Sequence, residues 1–372
     1  MKDTVDRQRF ILESVELETH DLRLTTPLAT AAGTIDQREI TLLRAVIRRD
    51  GRAQTGFGEA SPLPLWSAET GPGIRRSVAA LECPLELSDI GGLDDAIPGL
   101  VDAPVLRFGI EAALLDALSR AAGLPLGQAL ADIRKRRAAA SVPVQFTLGA
   151  EPANRCIEAL KEARTAGHTH AKLKVGTTSP ERDLERVRCI MVACRGLTLR
   201  LDANGAWTVE QALHVLASLP PDRVEMIEQP VPDASLDELL TRYDGGGPLI
   251  AADESCAESD RICALIRSGR LGAIVVKPSV VGGLMPAGRL FDMAKQYGVK
   301  VIISNLMESA VGRRAIVHLA AAWPELEGPH GLATGQWFRE DVAPESDRIQ
   351  QARLQLDSTP GIGFDPPWPD LR

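Results

Sequence analysis

Five residues carry the strongest chemical signal in the chain. Lys174, Asp202, Glu228, Asp253 and Lys277 follow one another at steps of 28, 26, 25 and 24 residues. Each stands near the end of a short, β-rich run: HAKLKVG, TLRLDANG, VEMIEQPV, PLIAADES and GAIVVKPS. Strand side chains alternate between faces, so Lys172 and Lys174 share one face while Leu173 takes the other, and Asp202 shares its face with Asn204. Three carboxylates converging on one spot repel each other unless a divalent cation neutralises them. A set of hard oxygens without Cys or His suits Mg²⁺, or Mn²⁺ in its place, with positions left for water or substrate. Lysine, with an ordinary pKa of about 10.4, is a poor base until a neighbouring cation or metal pushes it towards neutrality. Lys172 and Lys174 lie side by side and are expected to do this to each other. The set points to removal of a proton next to a substrate carboxylate, with the metal stabilising the enediolate that forms. One Asp or Lys at a strand end is usually a salt-bridged or solvated residue. Five at near-constant steps are a pattern.

That step is the length of a βα unit. From about Ser141 onward, β-rich runs (VPVQFTLG, the five above, KVIISNL and HGLATG) alternate with helical stretches such as PANRCIEALKEARTAG and VGRRAIVHLAAAW. Such alternation implies right-handed parallel βαβ units, and eight runs imply an α/β fold of the TIM type, a (β/α)7β barrel over residues 140–335. In that fold the C-terminal strand ends build the active site. A doubly wound open sheet shares the alternation, but no GxGxxG follows the first run, and Gly245-Gly246-Gly247 precedes a strand instead of opening a helix. Residues 1–135 read as an α+β module. An antiparallel sheet is expected over about 10–60 with a turn at Asp50-Gly51, followed by helical periodicity from Gly73 to about Leu130. The Pro- and Gly-rich tail, 336–372, is expected to run back across that first module.

Composition narrows the partners. The 372 residues are 44% hydrophobic and 25% charged with a net charge of -8, which fits a globular protein and argues against nucleic acid or an anionic membrane. Arg134 to Arg137 read as a solvated helix end. The six cysteines have no zinc-type spacing and read as free thiols. The charged start and the absence of an 18-residue apolar run make a cytoplasmic protein the expectation. The partner expected is a small-molecule carboxylate, with homo-oligomerisation left open. Asn204, Ser304 and Asn305 are candidate substrate contacts from their strand-end positions. His168 and His170 belong at the opposite end of the barrel, and His214 and His318 to helices. Glu254 is expected to point away from Asp253, and Glu59 to line the pocket or cap a turn.

The motifs resemble the enolase superfamily, specifically its muconate-lactonizing-enzyme subgroup. AKLKVG, LDANGAW, IEQP, ADES and VVKPS match its lysine and metal-ligand motifs, and PLATAAGTIDQRE, GFGEASPLP and RFGIEAALLDALSRAAGLPLGQAL resemble its capping domain and entry helix. The resemblance implies Asp202, Glu228 and Asp253 as Mg²⁺ ligands and Lys174 as the acid/base. It implies that Lys172 supports the substrate carboxylate or tunes Lys174, and that Lys277 is a second acid/base or a cationic stabiliser. ISNLMES lacks the His of mandelate-racemase-type relatives, and GLATGQWF lacks the Asp-x-Asp of dipeptide epimerases. MESAVGRRA, GLATGQWF and PLATAAGTIDQRE are most similar to o-succinylbenzoate synthases. These dehydrate 2-succinyl-6-hydroxy-2,4-cyclohexadiene-1-carboxylate to 2-succinylbenzoate in menaquinone biosynthesis. N-succinylamino-acid racemases, dipeptide epimerases and muconate-type cycloisomerases are the alternatives within the subgroup. A Schiff-base aldolase or a non-catalytic barrel would leave the three carboxylates unexplained.

Overall fold

The structure is a computed structural model that describes residues 9–30, 33–64, 66–257, 259–343 and 347–369. It opens on a long antiparallel ribbon, β1 (Phe10–Thr30) and β2 (Gly33–Arg49), extended by β3 (Arg52–Glu59). The turn between β2 and β3 is Asp50-Gly51, both at positive φ (+49° and +76°), the backbone that a two-residue hairpin needs to match strand twist. Ala29 and Gly33 stand at the tip of the ribbon. There Thr30 pairs with Gly33, while Ala31 and Ala32 lie outside the described residues. Leu24 bridges Phe338, and the Arg339 side chain donates to the Leu24 carbonyl, so the ribbon is tied to the segment after the last barrel strand.

The helical texture expected from Gly73 to Leu130 is in fact broken into α1 (Gly71–Ala79), β4 (Leu85–Leu87), α2 (Leu93–Ala96), α3 (Pro104–Ala121) and α4 (Leu126–Ile133). Pro84, Gly91-Gly92, Pro98-Gly99 and Pro125 punctuate it. β4 joins the ribbon, giving the sheet order β3-β2-β1-β4. Helix α3 is buried along almost its whole length because it lies between this sheet and the barrel. β3 approaches it so closely that a Cβ on Gly58 would stand 2.0 Å from the Gly109 carbonyl oxygen.

The expected first barrel run, VPVQFTLG, is split. Its first part, β5 (Ser141–Pro143), pairs antiparallel with a strand of the tail, and only β6 (Phe146–Leu148) enters the barrel. Pro143 has no N–H for a continuous ladder. From there strands and helices alternate: α5 (Ala153–Thr165), β7 (His170–Lys174), α6 (Pro180–Ala193), β8 (Thr198–Asp202), α7 (Val209–Ser218), β9 (Val224–Glu228), α8 (Asp233–Arg242), β10 (Leu249–Ala252), α9 (Ser259–Arg267), β11 (Ala273–Val276), α10 (Leu284–Gln296), β12 (Lys300–Ile303) and α11 (Ala310–Ala322). β6 to β12 form one parallel sheet in chain order, and the fold is of the TIM type. The eighth strand, expected in HGLATG, is reduced to two parallel bridges: His330 to Val144 and Gly331 to Ser304. Hydrogen bonds Gln145 N to His330 O (2.9 Å) and Gly331 N to Ile303 O (2.8 Å) close the seam.

Inside the barrel, Met226, Ala251, Ala273, Val275 and Ile302 form their own buried cluster, a small apolar plug between two charged ends. The tail contributes β13 (Ile349–Gln350) and β14 (Arg353–Gln355), the latter paired with β5. It then crosses to the first sheet, where the Trp368 ring lies 6.0 Å from that of Phe57. Arg134 is not the solvated helix end expected: it pairs with Asp292 and Glu325 and stacks over Trp323. No helix among the described residues is long and apolar enough to cross a membrane.

Candidate active site

The strand register explains how residues so far apart in sequence meet. Lys174 pairs with Asp202, and Asp202 with Glu228, across β7, β8 and β9. Glu228 pairs with Ala251, so Asp253 stands two residues further along β10's line; Ala251 pairs with Ala273, so Lys277 stands four further along β11's. Strand tilt in a barrel turns this stagger into a shared rim. At that rim the Lys172 ammonium lies between Asp202 Oδ2 (2.8 Å) and Glu228 Oε1 (2.6 Å). The Lys277 ammonium is bonded to Asp253 Oδ1 and faces the Trp66 ring at 4.3 Å from its centroid.

The electrostatics follow from this pairing. Burial pulls the Lys172 pKa down, but Asp202, Glu228 and Asp253 outweigh it and raise it above the ordinary lysine value. The expectation that the lysine pair makes each member easier to deprotonate therefore fails for Lys172, because three carboxylates face it. Lys277 is raised in the same way, with Asp253 and Glu228 outweighing burial. Burial pushes the Asp253 carboxyl up, but Lys277 and Lys172 more than offset it and leave it low. Burial, reinforced by Asp202 and Asp253 and opposed by Lys172, pushes Glu228 well above the ordinary range. Lys174 differs from both other lysines. Like Lys172 it is half-buried, but among the described residues it forms none of the ion pairs that hold the other two.

Among the described residues no three His, Cys, Asp or Glu side chains already form a ligand cage. The two ammonium groups sit on the carboxylates instead. The donor set nevertheless fits a hard divalent cation. It is all oxygen, it is buried, and its own repulsion shows in Glu228. Two further buried oxygens beside it, Asn204 Oδ1 and Glu254 Oε2, have no hydrogen-bond partner among the described residues, an arrangement that costs free energy unless a cation or water meets it.

Glu254 does not point away as alternation suggests. The strand stops at Ala252 and a 3₁₀ turn (Glu254–Cys256) follows. Glu254 thereby accepts a hydrogen bond from Asn204 Nδ2 at 3.1 Å, and burial beside Asp253 pushes its carboxyl up to about 7. Ser304 and Asn305 are at the barrel seam. Ser304 bridges Gly331, while Asn305 exchanges hydrogen bonds with Thr334 (2.9 and 3.2 Å) and accepts one from Met307 N (3.1 Å). Of the two roles expected for Glu59 the structure shows the cap: it does not line the mouth but caps the first turn of α11, and it also bonds the Ser61 side chain. It is fully buried at the start of α11, accepting from Ser309 N (3.0 Å), Ser309 Oγ (2.5 Å) and Gly312 N (3.0 Å). Arg38 completes the tie by donating to the carbonyls of Ser61, Pro62 and Leu306. Together they fix the loop that carries Trp66 onto the barrel rim. The sequence signals Trp66 only as a lone Trp in the Pro-rich link after GFGEASPLP.

The family described as "Enolase C-terminal domain-like" matches residues 155–370, more than half of the chain and most of the barrel whose rim collects these lysines and acids. The chain belongs to the enolase superfamily, in its muconate-lactonizing-enzyme subgroup. This superfamily member is 29% identical to muconate cycloisomerase 1 of Rhodococcus opacus, over 95% of both chains. It is 37% identical to the o-succinylbenzoate synthase of Mycobacterium ulcerans over 207 residues, 54% of this chain and 60% of that one. Among solved structures it superposes on a dipeptide epimerase from Enterococcus faecalis, complexed with Mg and the dipeptide L-Leu-L-Tyr, with a TM-score of 0.82 and 25% identity, over 95% of this chain and 99% of that one. Cycloisomerase, epimerase and o-succinylbenzoate-synthase-like chemistries are thus the range to which this enolase-superfamily enzyme belongs.

Proposed function

We propose that this protein is a Mg²⁺-dependent o-succinylbenzoate synthase, which removes the proton α to a ring carboxylate and then expels hydroxide from the neighbouring carbon. The observation that carries the proton-transfer role is that, among the described residues, Lys174 alone of the three rim lysines is not tied to a carboxylate. Asp202, Glu228 and Asp253 would hold the cation, which when bound supplies positive charge to the substrate carboxylate. Lys174 Nζ takes the proton from carbon and hands it to the departing hydroxyl on the same face, so that one C–H and one C–O bond break and water leaves. Lys277, kept as an ammonium by Asp253, stabilises the negative charge that grows on the carboxylate. Lys172, held between Asp202 and Glu228, offsets their repulsion and fixes the spacing of the two acids. Aromatisation of the ring drives the step.

Support for this substrate comes from the higher identity to the Mycobacterium ulcerans synthase and from the absence of any carboxylate between His330 and Phe338, where an epimerase would hold a substrate amine. A muconate-type cycloisomerase is the second reading, favoured by the match along 95% of both chains.

The test is a Mg²⁺-dependent assay in D₂O with the hydroxycyclohexadiene carboxylate, N-succinylamino acids, cis,cis-muconate and dipeptides as substrates. The expected result is rapid dehydration of the first, abolished by chelator, with slow or no deuterium exchange into the others. Faster turnover of muconate, or racemisation of succinylamino acids that outruns dehydration, would replace the synthase with that activity.

A further inference from the structure

Gln229 follows Glu228, is 1% exposed, and has a φ of +36°, a backbone state that a residue with a side chain adopts only under constraint. Both ends of its carboxamide are committed. Oε1 accepts from Asp253 N (3.0 Å) and Ser255 N (3.3 Å). Nε2 donates to the Val231 carbonyl (3.0 Å) and to Ser255 Oγ (3.0 Å), and that hydroxyl also reaches Oε1 at 3.2 Å. The main chain adds two more ties: Gln229 N donates to Ala251 O (2.8 Å), and Gly205 N donates to Gln229 O (2.7 Å). The ends of β8, β9 and β10, each bearing one of the three rim carboxylates, are thus joined at a single residue.

The need for such a joint is visible at Asp253. Its strand ends at Ala252, so the side chain of Gln229, in place of a neighbouring strand, binds the Asp253 N–H. We infer that Gln229 is the positioning residue that fixes Asp253 against Glu228 for the divalent cation, a role that rests on the metal reading above. The amide suits it because one end must accept from two N–H groups while the other donates to a carbonyl. A carboxylate of the same shape would turn an oxygen towards the Val231 carbonyl and add negative charge beside Asp253.

Calorimetric titration with Mg²⁺ and electron paramagnetic resonance of bound Mn²⁺ test this on the full-length wild type, Gln229→Glu and Ser255→Ala, with melting in chelator to establish folding. Groups that orient metal ligands typically change affinity by about 10–100-fold when altered. Gln229→Glu is expected to weaken Mg²⁺ binding at least about tenfold and to alter the Mn²⁺ spectrum. Ser255→Ala, which keeps the carboxamide and removes only the bridging hydroxyl, should weaken binding by roughly two- to tenfold, the worth of one neutral hydrogen bond. Wild-type affinity and spectrum in both variants would overturn the role of Gln229, and in Ser255→Ala alone would do so if Gln229→Glu does not fold. A wild type that binds no Mg²⁺ would overturn the metal reading itself.

Discussion

The barrel has charged clusters at both ends, and they are built in opposite ways. At the C-terminal rim, Asp202, Glu228, Asp253 and the nearby Glu254 outnumber the two lysines bound to them, and two buried oxygens lack partners. At the floor, a single acid, Glu225, is shared between Arg200 (2.6 Å) and Lys300, and Arg200 also donates to Gln145 Oε1 (2.7 Å) and to the Pro329 carbonyl (2.5 Å). His170 and His330 complete the floor. Burial and then Arg200 depress both, to about 4 and about 3, so they stay neutral there. The apolar plug of Met226, Ala251, Ala273, Val275 and Ile302 separates the ends. Excess acid at the rim suits cation binding and catalysis, while the floor uses its charges to lock β8 to the seam where the short eighth strand closes the barrel. Function and stability should therefore separate by end.

The largest effect expected is at the rim. Lys174→Ala removes the proposed acid/base, and loss of a general acid/base typically lowers rate about 10²–10⁴-fold, so kcat should fall into that range while the melting temperature stays near wild type. Steady-state kinetics with a thermal melt on the same sample check both. A variant within tenfold of wild type would move the proton transfer to another group.

Next comes the floor. Arg200→Met leaves Glu225 with Lys300 and with His170, whose Nε2 lies 3.8 Å from it, and strips the donor from Gln145 and Pro329. Breaking a buried pair by removing one partner costs about 3–5 kcal/mol, and because Lys300 remains the lower figure is expected. Denaturant unfolding should show that loss, with kcat of the folded fraction close to wild type. Equal loss of kcat would mean that the plug transmits strain from floor to rim.

Smaller still is the acid sensitivity of the floor. A histidine whose folded pKa lies below its unfolded value of about 6.5 contributes stability that is complete above that pH and lost as pH falls towards the folded value. With His170 at about 4 and His330 at about 3, stability should decline from about pH 6.5 downward, by roughly 2 kcal/mol in all by pH 6. His330→Gln should flatten that decline, measured by unfolding across the pH range; an unchanged slope would assign it to carboxylates alone.

The contrast between the ends shows what sequence can carry. The identities of the rim residues were legible because strand alternation and a near-constant βα step are local rules. Their pairing was not. Lys172 sits between Asp202 and Glu228 because of barrel stagger, and Glu254 swings towards Asn204 because the strand ends one residue before Asp253. Of the floor, the sequence shows only His170 at the start of its strand, because Arg200, Glu225 and Lys300 form no motif. A seam made of two bridges has no strand-like run, so HGLATG looked longer than it is. Trp66 comes from the first module, and only tertiary closure, through Arg38 and Glu59, brings it over Lys277.

That closure supplies the smallest prediction. The Lys277 ammonium lies 4.3 Å from the Trp66 centroid, close enough for a cation–π contact of about 0.5–2 kcal/mol depending on desolvation. Trp66→Leu keeps an apolar wall but removes the ring's negative face, so Lys277 would lean more heavily on Asp253. If Lys277 stabilises charge that develops during the reaction, the loss should fall on kcat, about 2- to 30-fold, with KM little changed. If Trp66 only covers the mouth, KM should rise while kcat holds. Steady-state kinetics on Trp66→Leu beside Trp66→Phe, which keeps a weaker π face, separates the two: graded loss of kcat from Trp through Phe to Leu places the ring in the electrostatics of the rim, and equal kcat in all three confines it to the lid.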